Sequence, residues 1–187
     1  MNLYSNVTVY TVGHSNLSTE DLLYLLQSFS IDVVVDIRAY PQSKRFPHFN
    51  GDVLRHRIEA NGLVYHWAGR QLGGMRKPTP GYHSPHIALQ SEFFRAFADY
   101  METAAFQKAV QQLCSMAAAS KVSLLCAERL AHDCHRSLIS DYLLLQGAKV
   151  LHISAANTCY EHQLSEYARR ESQQLIYDRA VSGQLDF

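Results

Sequence analysis

Five short apolar runs, alternating with stretches of helical spacing, constrain the fold of this chain more than any other feature. They are rich in β-branched and aromatic side chains and cover residues 7–12, 31–37, 63–67, 122–126 and 149–154. Such runs are typical of strands that are buried on both faces of a sheet. Alternating β and α units predict a three-layer α/β fold, in which helices flank a mostly parallel, Rossmann-like sheet.

Length and charge indicate one globular domain over residues 1–187. A chain of this length buries a sufficient core without disulfides or a structural metal. Basic and acidic residues both number 17, so bulk charge does not hold the chain on nucleic acid or on a membrane. Neither a secretory signal nor an apolar run of the roughly 20 residues that cross a bilayer is present. We therefore expect a cytoplasmic protein with reduced cysteines and no membrane partner.

Two segments lack regular spacing. Residues 38–50 form a polar and aromatic loop, and residues 70–87 contain three glycines and three prolines. Because so long an irregular stretch usually serves a purpose in a compact domain, we interpret residues 70–87 as a binding loop or lid. An insertion without function is the alternative. The polar tail after residue 154 is expected to end in one more helix.

Polar and titratable side chains follow three of the predicted strands. The three sets are Gly13-His14-Ser15, then Asp36-Ile37-Arg38, and finally Cys126-Ala127-Glu128 with Cys134-His135-Arg136 close behind. Ligands of open parallel sheets bind at the carboxyl ends of the strands. These segments are therefore expected to line one cleft.

The segment from Cys126 to Arg136 carries the most chemistry. If Asp133 caps the next helix, Cys134, His135 and Arg136 lie in its first turn. Free N–H groups and the helix dipole favour an anion there and lower the pKa of a thiol. Cys134 is then a candidate nucleophile, and Arg136 a candidate clamp for phosphate or carboxylate. The alternative is that both cysteines only pack in the core.

A metal or redox role for the same residues is a further alternative. Cys126, Cys134 and His135 are potential zinc ligands, with His14 as a fourth. The gap between the cysteines does not match common structural zinc motifs, and neighbouring residues of a helix point about 100° apart. We therefore expect neither a metal nor another cofactor. A disulfide requires the two Cα atoms to lie within about 7 Å of each other.

A second basic cluster lies in the loop over residues 38–50. Arg38, Lys44 and Arg45 are interleaved with aromatic residues, among them Tyr40 and Phe46. Cations beside aromatic rings suit a phosphorylated ligand that carries a base. A solvated loop, anchored to the core by its aromatic side chains, is the alternative.

Further candidates for anion binding lie near these segments. Asp36 either contacts the ligand or orients a neighbouring side chain. Gly73, Gly74 and Arg76 offer backbone N–H groups and a cation, although a Gly-Gly pair alone is a weak motif.

Taken together, the motifs resemble a known family. They are Tyr10-Thr-Val-Gly-His-Ser15, Val35-Asp-Ile-Arg38, Leu72-Gly-Gly74 with Arg76, Cys126-Ala-Glu128, Cys134-His-Arg136 and Val150-Leu-His-Ile153. They occur in the order expected for the bacterial and archaeal family called domain of unknown function 488. Met75 departs from that pattern, because a second basic residue is expected there. The paired cysteines of the family imply an enzyme, but the resemblance implies no reaction.

The leading hypothesis is an enzyme, a hydrolase or a transferase, acting on an anionic, nucleotide-like or nucleic-acid-derived substrate. Its candidate catalytic residues are Cys126, Cys134, His14, Glu128 and His135. Its candidate anion-binding residues are Ser15, Asp36, Arg38, Arg45, Gly73, Gly74, Arg76 and Arg136. The expected partner is thus a phosphate-bearing small molecule or a nucleic-acid fragment. The alternatives are a module that binds a nucleotide or DNA end without chemistry, and a Cys/His metal or thiol-redox protein.

Overall fold

The computed structural model describes residues 4–179, in which six α-helices and eight β-strands form. The helices are α1 (Thr19–Ser28), α2 (Gly51–Ala60), α3 (Gly69–Leu72), α4 (Glu92–Met101), α5 (Ala104–Ala119) and α6 (Arg136–Leu145). The strands are β1 (Thr8–Gly13), β2 (Val33–Asp36), β3 (Val64–Trp67), β4 (Val122–Cys126), β5 (Lys149–Ala155), β6 (Thr158–Glu161), β7 (Ala168–Glu171) and β8 (Gln174–Tyr177). None of the described helices is long and apolar enough to cross a membrane.

The main sheet confirms the predicted α/β class. Its six strands lie in the order β3-β2-β4-β1-β5-β6, and the first five are mutually parallel. β6 pairs antiparallel with β5 at the edge. Because β4 lies between β2 and β1, the order differs from that of the dinucleotide-binding Rossmann fold, in which the first two strands are neighbours.

Helices cover both faces of this sheet. On one face, α1 and α2 bury Leu22, Leu26, Leu54 and Ile58 against the strands. On the other face lies a larger core, to which α4, α5 and α6 contribute. Right-handed crossovers explain this division, because the chain moves along the sheet in one direction from β1 to β3 and in the other direction from β3 to β5.

The starts of two helices differ in their capping. Ser18 caps α1, since its Oγ accepts from the Asp21 N–H at 3.0 Å and donates to the Asp21 carboxylate at 2.7 Å. By contrast, α6 begins at Arg136, and no side chain of the described residues caps it. The prediction that Asp133 caps this helix and that Cys134 lies in its first turn is therefore wrong.

The tail also differs from the prediction. Instead of a final helix, the described part forms β6 and the β7–β8 hairpin, and residues 180–187 lie outside the described residues. Leu175 and Tyr177 on β8 are buried in the larger core beside α6. The apolar side chains of the tail thus alternate along a strand, a spacing of two that does not suit a helix.

A buried chain of hydrogen bonds ties the tail to the sheet. The Asp141 carboxylate can only accept, so His162 donates to it from Nε2 at 2.9 Å. His162 Nδ1 therefore accepts from His152 Nε2 at 2.9 Å, and His152 Nδ1 accepts from the Thr11 hydroxyl at 2.6 Å. The Tyr177 hydroxyl donates to the other Asp141 oxygen at 2.9 Å. Side chains of β1, β5, α6 and β8 are joined in this way.

Acidification is expected to destabilise the protein. Burial, aided by His162, lowers the pKa of His152 to about 3; burial, aided by Arg38, lowers that of His14 to about 4. Below the usual histidine pKa of 6.5, both histidines bind protons in the unfolded chain but stay neutral in the folded chain. The contribution of the neutral histidines to the free energy of unfolding is therefore complete above pH 6.5 and is lost as the pH falls towards 4. We expect the urea midpoint to decrease from about pH 7 to about pH 4.5, each histidine contributing up to about 1.4 kcal/mol per pH unit.

A matched pair of variants isolates the histidine effect. His152→Gln removes one of the two buried histidines that the unfolded chain protonates, so the urea midpoint should depend less on pH. His56→Gln, at an exposed position of α2, should leave the pH dependence of the midpoint unchanged. A midpoint that does not move over this pH range would contradict the prediction.

Candidate functional site

A cleft of about 910 Å³ opens at the carboxyl ends of β1, β2 and β4. Nine of the thirteen predicted site residues line it: His14, Ser15, Arg38, Arg45, Gly74, Cys126, Glu128, Cys134 and His135. Asp36, Gly73, Arg76 and Arg136 do not. The cleft has the location and size of small-molecule sites in α/β proteins.

The β1–β4 pairing brings two of the motifs side by side. Gly13 is opposite Cys126 in the sheet, and the pairing continues past the strands as His14 and Ser15 donate their N–H groups to the carbonyls of Cys126 and Ala127 at 2.9 and 2.8 Å. A Cβ atom on Gly13 would lie only 1.7 Å from the Glu128 carbonyl oxygen. Glycine is therefore required where the two segments run together.

Cys126, Cys134 and His135 form the floor of the cleft, and we call them the Cys–Cys–His centre. His135 Nδ1 lies 3.8 Å from the Cys126 sulfur and 3.6 Å from the Cys134 sulfur. All three side chains are buried, yet all three line the cleft. Two thiols and an imidazole thus lie close together at the same part of the cleft surface.

The orientation of His135 is fixed from behind. Its Nε2 lies 3.0 Å from the Leu72 carbonyl oxygen, which can only accept, so Nε2 carries the proton and the Nδ1 lone pair faces the sulfurs. The ring of Phe97 packs edge-on against the imidazole, with the centroids 5.1 Å apart. Gly74 packs so closely that a Cβ atom there would lie 2.5 Å from His135 Cγ.

The two thiols have opposite electrostatic environments. A hydrogen bond from Cys126 lowers the pKa of Cys134, burial opposes this, and the charge and backbone N–H of Arg136 add to the lowering. The same hydrogen bond and burial raise the pKa of Cys126 well above its usual value. Cys134 is therefore the sulfur that more readily becomes a thiolate.

Two arginines predicted to bind an anion hold loops instead. Arg136 donates from its terminal nitrogens to the carbonyls of Glu128 and Arg129, the latter at 2.7 Å, and is fully buried. Arg76 donates to the carbonyls of Gly73 and Arg70 at 3.0 and 2.8 Å. The structure thus brings neither guanidinium into the cleft.

The Gly-Gly pair likewise has a packing role. A Cβ atom on Gly73 would lie 2.3 Å from the Gly69 carbonyl oxygen and 2.8 Å from Ala39 Cα. The chain at Gly73 and Gly74 passes between α3, the 38–50 loop and His135, and a larger side chain at either position would overlap them. Of the predicted binding loop over residues 70–87, the first part belongs to α3 and only Gly74 and Met75 line the cleft.

Asp36 orients Arg38, one of the two roles considered for it. Its carboxylate accepts from the Arg38 Nε at 2.9 Å and also binds the terminal guanidinium group, and Tyr65 donates to it at 2.6 Å. Arg38 in turn donates to the Phe49 carbonyl at 2.7 Å. The role of Tyr65 was missed because its place in a strand gives no sign of a partner on β2.

His14 is held as a neutral imidazole that faces Arg38, so it suits the positioning of Arg38 more than proton transfer. Its Nδ1 donates to the Ser15 carbonyl at 3.0 Å, while its Nε2 faces Arg38 at 3.4 Å. Its ring stacks on Phe49, with the centroids 3.9 Å apart. Burial and Arg38 lower its pKa to about 4, so His14 is neutral near pH 7 and its lone pair is directed at a cation.

The walls of the cleft carry charges of both signs. Arg45 is exposed and forms no salt bridge within residues 4–179, whereas Arg38 is neutralised by Asp36. Glu128 and Asp133 line the cleft on the segment that follows β4. Tyr40 and Phe93 also line it, with 76% and 52% of their surfaces exposed. Phe93 lies on α4, and its apolar side chain gave no sequence signal that it faces the cleft.

Comparison with known proteins gives the family. Residues 18–143 match the family model described as domain of unknown function DUF488. The chain belongs to this family. The match includes Asp36, Arg38, the Gly-Gly pair and the Cys–Cys–His centre, and it leaves out the segment around His14. We found no match among curated proteins or solved structures.

The contact between Gly74 and His135 gives a test of the site's packing. Gly74→Ala should displace the imidazole ring or the 73–75 backbone, since the added methyl group would overlap His135. We expect a loss of about 1–3 kcal/mol in the free energy of unfolding, measured by urea denaturation. Met75→Ala, at an exposed neighbour, should change stability by less than about 0.5 kcal/mol. Equal stability of the two variants would show that the loop does not pack on His135.

Proposed function

We propose that the protein is an enzyme that binds a nucleotide-like substrate in the cleft and acts on it with the Cys–Cys–His centre. The observation that carries this proposal is the convergence of Cys126, Cys134 and His135 on the floor of the 910 Å³ cleft. Nucleophilic and proton-accepting groups that share a cleft, with perturbed thiol pKa values, are the features by which a candidate active site is recognised. The second candidate, a module that binds without chemistry, is an outcome of the tests below.

The substrate class follows from the groups on the walls. Arg45 offers an exposed guanidinium, which binds phosphate through two parallel hydrogen bonds. Tyr40 and Phe93 offer exposed rings in the same cleft, and a nucleobase can stack on them. A molecule with a phosphate and a base uses both features, whereas a simple anion leaves the aromatic rings unused.

The carboxylate of Glu128 offers proton transfer in the cleft. Glu128 lines the cleft beside the centre and is exposed, so its carboxylate can accept a proton from the attacking group and return it to the leaving group. His14, at the end of β1, contacts Arg38 of the Asp36–Arg38 pair at the end of β2. The centre would supply the reacting group, and the neighbouring segments would hold the substrate against it.

Binding can be tested with 5′-AMP and adenosine as probes. Arg45→Ala should weaken 5′-AMP binding by about tenfold or more, because a charge-assisted hydrogen bond is lost, and should leave adenosine binding nearly unchanged. Lys44→Ala is the matched control, since Lys44 lies next in sequence but lines a different groove. Isothermal titration calorimetry measures the affinities of the parent protein and both variants for the two probes. No binding of 5′-AMP to the parent protein, or equal losses in both variants, would contradict this substrate class.

Turnover tests the role of the centre. The protein is incubated with a panel of nucleotides and short oligonucleotides, and products are identified by mass spectrometry. Cys134→Ser should reduce turnover by at least about 10³-fold while probe binding is retained. Cys159→Ser, at a half-buried cysteine on β6, should have full activity. Full activity of Cys134→Ser would refute the catalytic role, and probe binding without turnover on any panel member would favour the binding module.

A further inference from the structure

The sulfur–nitrogen distances within the Cys–Cys–His centre are close to those of a metal site. In tetrahedral coordination, with Zn–S bonds of about 2.3 Å and Zn–N bonds of about 2.0 Å, a sulfur and a nitrogen ligand lie about 3.5 Å apart. The Nδ1 atom of His135 lies 3.6 and 3.8 Å from the two sulfurs. All three ligand atoms lie within 4.8 Å of one another. The two sulfur–nitrogen separations are close to the corresponding edges of a coordination tetrahedron.

The surroundings of the centre resemble the outer shell of a metal site. A ligating imidazole usually donates its second nitrogen to a carbonyl or carboxylate, as His135 does to Leu72 at 3.0 Å. The Arg136 N–H lies 3.5 Å from the Cys134 sulfur, where it can stabilise a ligating thiolate. The lone pair of His135 thus faces both sulfurs, and the three ligand atoms lie close to one another.

Charge balance favours a divalent ion. Two thiolates and a neutral imidazole carry two negative charges, which a divalent ion cancels. The resulting site is neutral, so its burial carries no uncompensated charge. Thiolate and imidazole donors together select zinc among the common divalent ions.

We propose that Cys126, Cys134 and His135 bind one zinc-class ion, with water in a fourth position that faces the cleft. This inference rests on the proposed function and names its cofactor. It gives the sulfurs the role of ligands, in place of the nucleophilic role expected from the sequence. His14, the fourth ligand considered from the sequence, is outside the group because its Nε2 faces Arg38.

Three protein ligands and an open position are typical of catalytic zinc. An ion held by Cys126, Cys134 and His135 would activate a water molecule for hydrolysis of the substrate. Glu128 would accept the proton that this water loses as its oxygen bonds to the electrophilic atom, and would return that proton to the leaving group when the bond to that group breaks. Water is the only co-reactant, and no electrons are exchanged.

Elemental analysis tests the proposal directly. The full chain is purified with a phosphine reductant and without chelator, and its zinc content is measured by mass spectrometry. We expect about one equivalent in the parent protein and in Cys159→Ser, and at least about tenfold less in Cys126→Ser, Cys134→Ser and His135→Gln.

Cobalt titration keeps the test valid if the variants fail to fold. Co²⁺ added to the metal-depleted parent protein should give sulfur-to-cobalt charge-transfer bands and tetrahedral d–d bands that saturate near one equivalent. Less than about a tenth of an equivalent of zinc, together with no cobalt bands, would overturn the proposal. Cys134-dependent turnover without metal would leave the proposed enzyme intact, with Cys134 as nucleophile. Metal without nucleotide binding or turnover would leave the site intact and refute the function.

Discussion

The buried guanidinium of Arg136 is the contact on which the candidate site depends. By donating to the carbonyls of Glu128 and Arg129, it closes the segment after β4 back onto the start of α6. That closure brings Cys134 and His135 under Cys126, nine or fewer residues away along the chain. Gly13 leaves the space that this guanidinium and the Glu128 carbonyl occupy. A motif on β1 and a motif after β4 are thus two halves of one packing arrangement.

The sequence predicted the location of the site better than the role of each residue. The apolar runs predicted the strands, and ligands of open parallel sheets bind at the carboxyl ends of strands. These two points were sufficient to predict that His14, Arg38, Cys126 and Cys134 line one cleft, because parallel strands end at the same edge of a sheet. The roles of Arg136 and Gly74 were not predictable in the same way. Both depend on which backbone lies within a few ångströms, and spacing along the chain contains no such information.

The errors in the sequence-based elements have the same origin. A helix start at Asp133 is the local preference, since Asp is a good N-cap. Instead, the residues before Arg136 form turns, Arg136 donates to the preceding carbonyls, and α6 starts two residues later than a helix capped by Asp133 would. In the tail, one more helix was expected at the end, whereas the described part forms strands whose Leu175 and Tyr177 complete the core beside α6.

The tail extends the site's support beyond the segment that defines the family. The family match ends at residue 143, within α6, whose first residue is Arg136. Further along this helix, Asp141 accepts hydrogen bonds from His162 and from Tyr177, both outside the match. Because α6 is a rigid element, these bonds fix the helix that carries Arg136 at its start. The segment that follows the family match thus stabilises the geometry of the Cys–Cys–His centre without contributing a residue to it.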